Sequence, residues 1–123
     1  MQITQHRPDS PHVIRGYDAT CVRLSGRELT ASFILSSDQL IADWPVRSVA
    51  DLTVDTLSPI FALQPEVVVL TTGGRAVFPR AALRAEFAQR GIGLEVMELG
   101  AGCRTFNVLI SEGRRAVFAA VFA

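Results

Sequence analysis

The plainest pattern of apolar and polar positions lies in the second half of the chain. Glu66-Val67-Val68-Val69-Leu70 is a continuous β-branched run, the texture of a strand covered on both faces. A loop follows over residues 71–77, and Pro79 opens a helix in which Ala82, Leu83, Phe87 and Arg90 keep a helical period until Gly91 stops it. Residues 93–97 read as a second strand, 102–113 as a second helix and 116–122 as a third strand. Strand, helix, strand, helix, strand implies parallel strands joined by right-handed crossovers.

The first half has a β texture over residues 13–35, broken at Ser25-Gly26 by a hairpin turn. A short segment over 40–46 carries Trp44 and ends beside Pro45. Its imperfect alternation predicts bent or bulged strands. Thr53 is placed to cap a short helix reaching residue 63. Residues 1–12, with Pro8 and Pro11, read as a flexible leader. The expected architecture is therefore one α/β domain over residues 13–123. It has three layers, β/β/α, with a mixed sheet whose C-terminal βαβαβ unit packs against an N-terminal β-rich half. The last strand is expected in the core, although its place at the end of the chain leaves a sheet edge, and a homodimer formed through it, open.

Composition narrows the function classes. The chain has 123 residues, enough for one core. Twelve basic residues, all arginine, balance twelve carboxylates, so no global field favours nucleic acid or an anionic membrane. Without lysine there is no Schiff base and no phosphate loop of the Walker type. No apolar run approaches the roughly 20 residues that span a bilayer, and the polar N-terminus is not a signal peptide, so a cytoplasmic protein without membrane insertion is expected. Cys21 and Cys103 make no C-x-x-C pair, and His6 and His12 both fall in the leader. Neither a metal nor another cofactor is expected. Reduced thiols are preferred to a Cys21–Cys103 disulfide.

Candidate chemistry gathers at two glycine-bearing turns that should meet at the carboxyl edge of the parallel strands, where ligands sit in such folds. The first contains Thr72, Gly73, Gly74 and Arg75; the second contains Gly102, Cys103, Arg104 and Thr105, with Asn107 following. Free N–H groups at a helix start attract anions, and Arg75 and Arg104 add bidentate donors. The competing reading makes the glycines tight turns and the arginines solvated. Cys103 at a helix start beside an arginine would be an activated thiol. Its helical spacing with Phe106 and Ile110 makes it a core residue instead. Asn107 lies on or beside that apolar face and must be hydrogen-bonded, to a nearby turn or to a ligand. Glu112 is spaced to pair with Arg115. No catalytic set of base and nucleophile is found.

Gly16-Tyr17, Trp44-Pro45-Val46, the strand 66–70 leading into Thr72-Gly73-Gly74, and Cys103-Arg104-Thr105-Phe106-Asn107-Val108-Leu109 with Glu112-Gly113-Arg114 occur in that order. Over residues 13–123 this series resembles the small domain of mitochondrial complex I (NADH dehydrogenase) assembly factor 3 and its uncharacterised bacterial and archaeal relatives. The resemblance implies β, β and α layers, no established catalytic activity, and action through contact with a protein partner. Two readings of function stand at this point: an interaction module for assembly of a membrane-bound complex, and a small-molecule or anion-binding protein using the glycine turns.

Overall fold

A computed structural model of the protein describes residues 12–123. The leader expected over 1–12 lies outside the described residues except for His12, which donates from Nδ1 to the Ser36 carbonyl at 2.9 Å. Strands β1 (Gly16–Asp18), β2 (Cys21–Leu24) and β3 (Arg27–Leu29) form a small antiparallel meander. The turn at Ser25-Gly26 joins β2 to β3, with Gly26 at φ +78°.

The larger sheet takes strands from both halves. It contains β4 (Phe33–Leu35), β5 (Leu40–Ile41), β6 (Val67–Thr71), β7 (Gly93–Met97) and β8 (Ala116–Ala120), in the order β5-β4-β8-β6-β7. Strand β6 is parallel to both neighbours, pairing Val69 with Glu95 on one side and with Phe118 on the other. Strand β8 is antiparallel to β4, with Ile34 opposite Ala119. The last strand is thus central, with β4 and β6 on its two sides, and its backbone groups are not available as a sheet edge for a dimer.

Three helices cover the faces: α1 (Val54–Ala62), α2 (Ala81–Gln89) and α3 (Leu99–Ser111). Thr53 caps α1 as expected, in a reciprocal pair with Thr56, whose N–H donates to Thr53 Oγ1 at 3.1 Å. Right-handed crossovers dictate where the later helices lie. From β6 the chain steps outward to β7, then doubles back past β6 to β8, so α2 and α3 must fall on opposite faces. They do. Leu83 and Phe87 of α2 pack with α1, Trp44, Val68, Leu70 and Val117. Cys103, Phe106 and Ile110 of α3 pack on the other face with Val67, Val69, Phe118 and the small meander. The fold is mixed α/β, with two sheets and three helices among the described residues.

The structure moves one boundary that matters. Helix α3 begins at Leu99, not at residue 102, so the second glycine-bearing segment is helix rather than turn. Glycine is a poor helix former, and two glycines at 100 and 102 concealed the true start. Both are explained by close approach. A Cβ on Gly102 would fall 2.2 Å from Thr71 Cγ2, and one on Gly100 would fall 2.9 Å from the Tyr17 ring. The tertiary neighbours require these glycines; the local backbone does not.

Candidate functional site

Strand β6 sends its loop toward α2 on one face, and adjacent β7 sends its connection to α3 on the other. Such a switch opens a crevice at the carboxyl ends of the strands, the usual ligand position in open α/β sheets. The crevice is present here, lined by Tyr17, Asp18, Gly73, Gly74, Glu98 and Gly100, with a volume of about 160 Å³. Ligand pockets usually run to about 300–1,000 Å³, so this one has room only for a small group.

The chain itself supplies the groups that meet in this crevice. Glu98 caps α3, its two carboxylate oxygens accepting from the N–H groups of Gly100 and Ala101 at 2.7 Å each. That is the anion position at the helix start, and it is held by a side chain of this protein. The Leu99 N–H donates to the Gly73 carbonyl at 2.9 Å and joins the two sides of the crevice. Tyr17 lies over Gly100, and its hydroxyl accepts from Arg104 Nη1. Arg104 also reaches toward Glu98, with 3.9 Å between Nη2 and Oε2. Asp18, on the rim, accepts from the Thr20 N–H at 2.9 Å, which is the first cause of its lowered pKa; Arg23 adds to the effect.

The nine residues singled out from sequence therefore divide. Gly73 and Gly74 line the crevice, and Arg104 stands at its rim through Tyr17 and Glu98. Thr72 holds its own loop: Oγ1 donates to the Arg75 carbonyl at 2.8 Å and accepts from the Val77 N–H at 3.0 Å. Arg75 is exposed on that loop and does not line the crevice. Gly102 and Cys103 are buried against the sheet, and Thr105 is half-buried further along α3. Asn107 is on the far side, where Oδ1 accepts from the Ile14 N–H at 3.0 Å and Nδ2 donates to the Ile14 carbonyl at 2.9 Å.

Cys103 is a core thiol. It is 1% exposed, and burial, aided by the charge of Glu98 and opposed by Arg104, pushes its pKa up to about 12. Both cysteines are free. The expected Glu112–Arg115 pairing gives way to a different arrangement. Arg115 Nε donates to the Gln64 carbonyl at 3.2 Å, while Arg114 Nε meets Glu66 Oε2 at 2.7 Å. Glu66 begins the approach to β6, so these contacts tie the two parallel strands at their amino ends, and the Arg114 hydrogen bond holds the Glu66 carboxyl below its usual range. Trp44 is a packing anchor, its indole N–H donating to the Thr56 carbonyl at 2.8 Å.

Tyr17 and Glu98 are the crevice residues that the sequence did not disclose. A carboxylate directly before a helix favours its N-terminus, but the glycines at 100 and 102 weaken the local helical pattern that would place the start there. Tyr17 carries no local signal, because only the tertiary fold brings β1 to α3.

Among the described residues no helix is long and apolar enough to cross a membrane. Residues 14–121 match the family described as "Protein of unknown function (DUF498/DUF598)". A stretch of the chain is 41% identical over 83 residues to NADH dehydrogenase (ubiquinone) 1 alpha subcomplex assembly factor 3 of Danio rerio, covering 66% of this chain and 48% of that protein. The human protein of the same name is 38% identical over 76 residues, covering 60% and 41%. The matched stretches thus span less than half the length of these relatives. A solved structure from Xanthomonas campestris superposes with a TM-score of 0.85 at 40% identity, over 98% of this chain and 92% of that one. A Bordetella pertussis protein described as a Mth938-like domain shares the fold, with a TM-score of 0.78 at 22% identity over 98% and 92%. The chain belongs to the DUF498/DUF598 family, is similar to the complex I assembly factor 3 proteins over part of their length, and shares its fold with a bacterial Mth938-like domain.

Proposed function

We propose that this chain is a non-enzymatic interaction module that serves the assembly or biogenesis of a membrane-bound respiratory complex through contact with a protein partner. The observation that carries the reading is a small crevice whose helix start is already occupied by the chain's own Glu98. At the position where α/β folds present ligands, Glu98 holds the helix N–H groups, Leu99 bonds to Gly73, and Tyr17 covers Gly100. Cys103 and Asn107, the groups best suited to chemistry or recognition, face inward toward the core and the Ile14 backbone. This arrangement favours action through the outer surface, and the similarity to assembly factors supplies the kind of process.

The test is deletion of the gene in its host, followed by native gel electrophoresis of membrane extracts and measurement of NADH:quinone activity. Loss of assembled complex, restored by the wild-type gene, is expected. An unchanged level of mature complex overturns the proposal. The competing reading, a small-anion protein, is separated by thermal shift against nucleotides, organic acids, sugar phosphates and simple anions. A flat response is expected, and a saturable rise in melting temperature would transfer the function to the crevice.

A further inference from the structure

The loop between β6 and α2 carries a feature that neither the core nor the crevice uses. Ala76, Val77 and Phe78 are all exposed, and Phe78 is exposed at 61%, the largest value for a big apolar side chain among the described residues. The loop is stiffened from below by the two Thr72 hydrogen bonds, and Pro79 behind Phe78 is buried. Arg80 fastens the loop to the rest of the fold, donating from Nη1 to the Leu52 carbonyl at 3.2 Å. Phe78 and the adjacent Val77 thus place a small apolar tip in solvent on a braced loop.

Charge identifies the occupant. Between Glu66 and Glu86 the chain contains three charged residues, Arg75, Arg80 and Arg84, and all three are cations. They flank the apolar tip, and all three are exposed. In a chain of net charge zero, this run is a local concentration of positive charge. Nearby in sequence to Leu52, which Arg80 contacts, Asp51 ends a short 3-10 turn and Asp55 lies in the first turn of α1. Phe78 lines neither the crevice nor the large cleft beside Trp44. A projecting apolar tip with Arg75 before it and Arg80 and Arg84 after it in sequence fits a fluid anionic interface, which moulds around an inserted side chain while its headgroups meet positive charge.

We propose that residues 75–80 form a peripheral docking loop for an anionic lipid surface, with Val77 and Phe78 entering the headgroup region, Arg75 contacting lipid phosphate, and Arg80 and Arg84, held to the Leu52 and Pro79 carbonyls, adding positive charge behind the tip. This goes beyond the assembly reading and does not depend on it. The test is co-flotation of the purified chain with vesicles of phosphatidylcholine alone and of phosphatidylcholine mixed with phosphatidylglycerol. Binding to the mixed vesicles, weakened by salt, is expected. Phe78→Ser should lower partitioning about tenfold, and Arg75→Gln should lower it roughly fivefold on anionic vesicles only. Val108→Ser, at an exposed aliphatic position on α3, should change nothing. Absence of co-flotation, or equal binding by Phe78→Ser, overturns the proposal. Both loop positions are exposed and the variants should fold, which the melting temperature of each verifies. Arg75→Gln keeps the test decisive if Phe78→Ser does not.

Discussion

The carboxamide of Asn107 grips both backbone groups of Ile14, accepting at 3.0 Å and donating at 2.9 Å across 93 residues of sequence. It does for one residue what a neighbouring strand would do, and it fastens the segment before β1 to the third turn of α3. Ile14 itself is buried, so loss of the amide leaves an N–H and a C=O without partners in a poorly hydrated place. Asn107→Ala is therefore expected to cost about 2 kcal/mol, a fall of about 10 °C in melting temperature for a domain of this size. Asn107→Asp should be no better, because it retains the acceptor for Ile14 N–H but sets an oxygen against the Ile14 carbonyl. Urea denaturation of both variants checks the point. Equal stability of Asn107→Ala and wild type would show that water satisfies Ile14.

Gly102 and Thr71 set the distance between α3 and β6. A Cβ on Gly102 would lie 2.2 Å from Thr71 Cγ2 and 3.2 Å from the Phe118 ring, so Gly102→Ala must push the helix off the sheet. Overpacking of this kind costs roughly 1–3 kcal/mol. Because the clash is with one methyl group, Thr71→Ser should recover part of the loss, and a double-mutant cycle should show coupling. Thr71 adds a second expectation. Its hydroxyl is fully buried without a hydrogen-bond partner, so the isosteric Thr71→Val should stabilise the protein by about 1 kcal/mol. A destabilised Thr71→Val would mean that an internal water holds the hydroxyl.

These two contacts show what was legible in the sequence. The run Val67–Val69 and the period of Leu83 and Phe87 announced β6 and α2 because burial on those elements follows simple local rules. Gly100 and Gly102 had the opposite effect. Their cause is the packing of Tyr17 and Thr71 against α3, which no local pattern carries, so glycine at these positions looks locally like a turn. Asn107 could be called hydrogen-bonded from its place beside the apolar face of α3, but its partner, Ile14, depends on the whole topology. The candidate site was legible only as a location. The crevice at the strand ends follows from β6-α2-β7-α3 connectivity, whereas the occupation of its helix start by Glu98, beside Tyr17, is set by the tertiary fold.

Cys103 makes a pH prediction of definite sign. Its pKa rises from 9.0 to about 12 on folding, chiefly through burial. Above pH 9 the unfolded chain releases the thiol proton while the folded chain keeps it, so the unfolded state binds fewer protons and stability falls as pH rises. Below pH 9 the contribution is fully present; it is lost progressively toward pH 12. Cys103→Ala should flatten that alkaline slope in denaturation midpoints measured from pH 8 upward. The native thiol at Cys103 should also resist maleimide until the protein is unfolded. Rapid labelling of Cys103 in the native protein would contradict its place in the core.

Glu98 decides whether the start of α3 can receive an anion from solution. Its carboxylate accepts from Gly100 and Ala101 at 2.7 Å, so in the wild-type protein the N–H groups that would bind sulfate or phosphate are engaged. Glu98→Ala removes the cap at a cost of about 1 kcal/mol and leaves those N–H groups open under the positive end of the helix dipole. Sulfate should then raise the melting temperature of Glu98→Ala more than that of wild type, compared with chloride at matched ionic strength. The general stabilisation by sulfate applies to both proteins, so the difference between them isolates the site. Equal responses would mean that Tyr17, with its hydroxyl on Arg104, closes the helix end even without the carboxylate. The double variant Glu98→Ala, Tyr17→Phe would then be expected to gain the response, since Arg104 loses both partners that hold it at the rim and is freed to meet the anion.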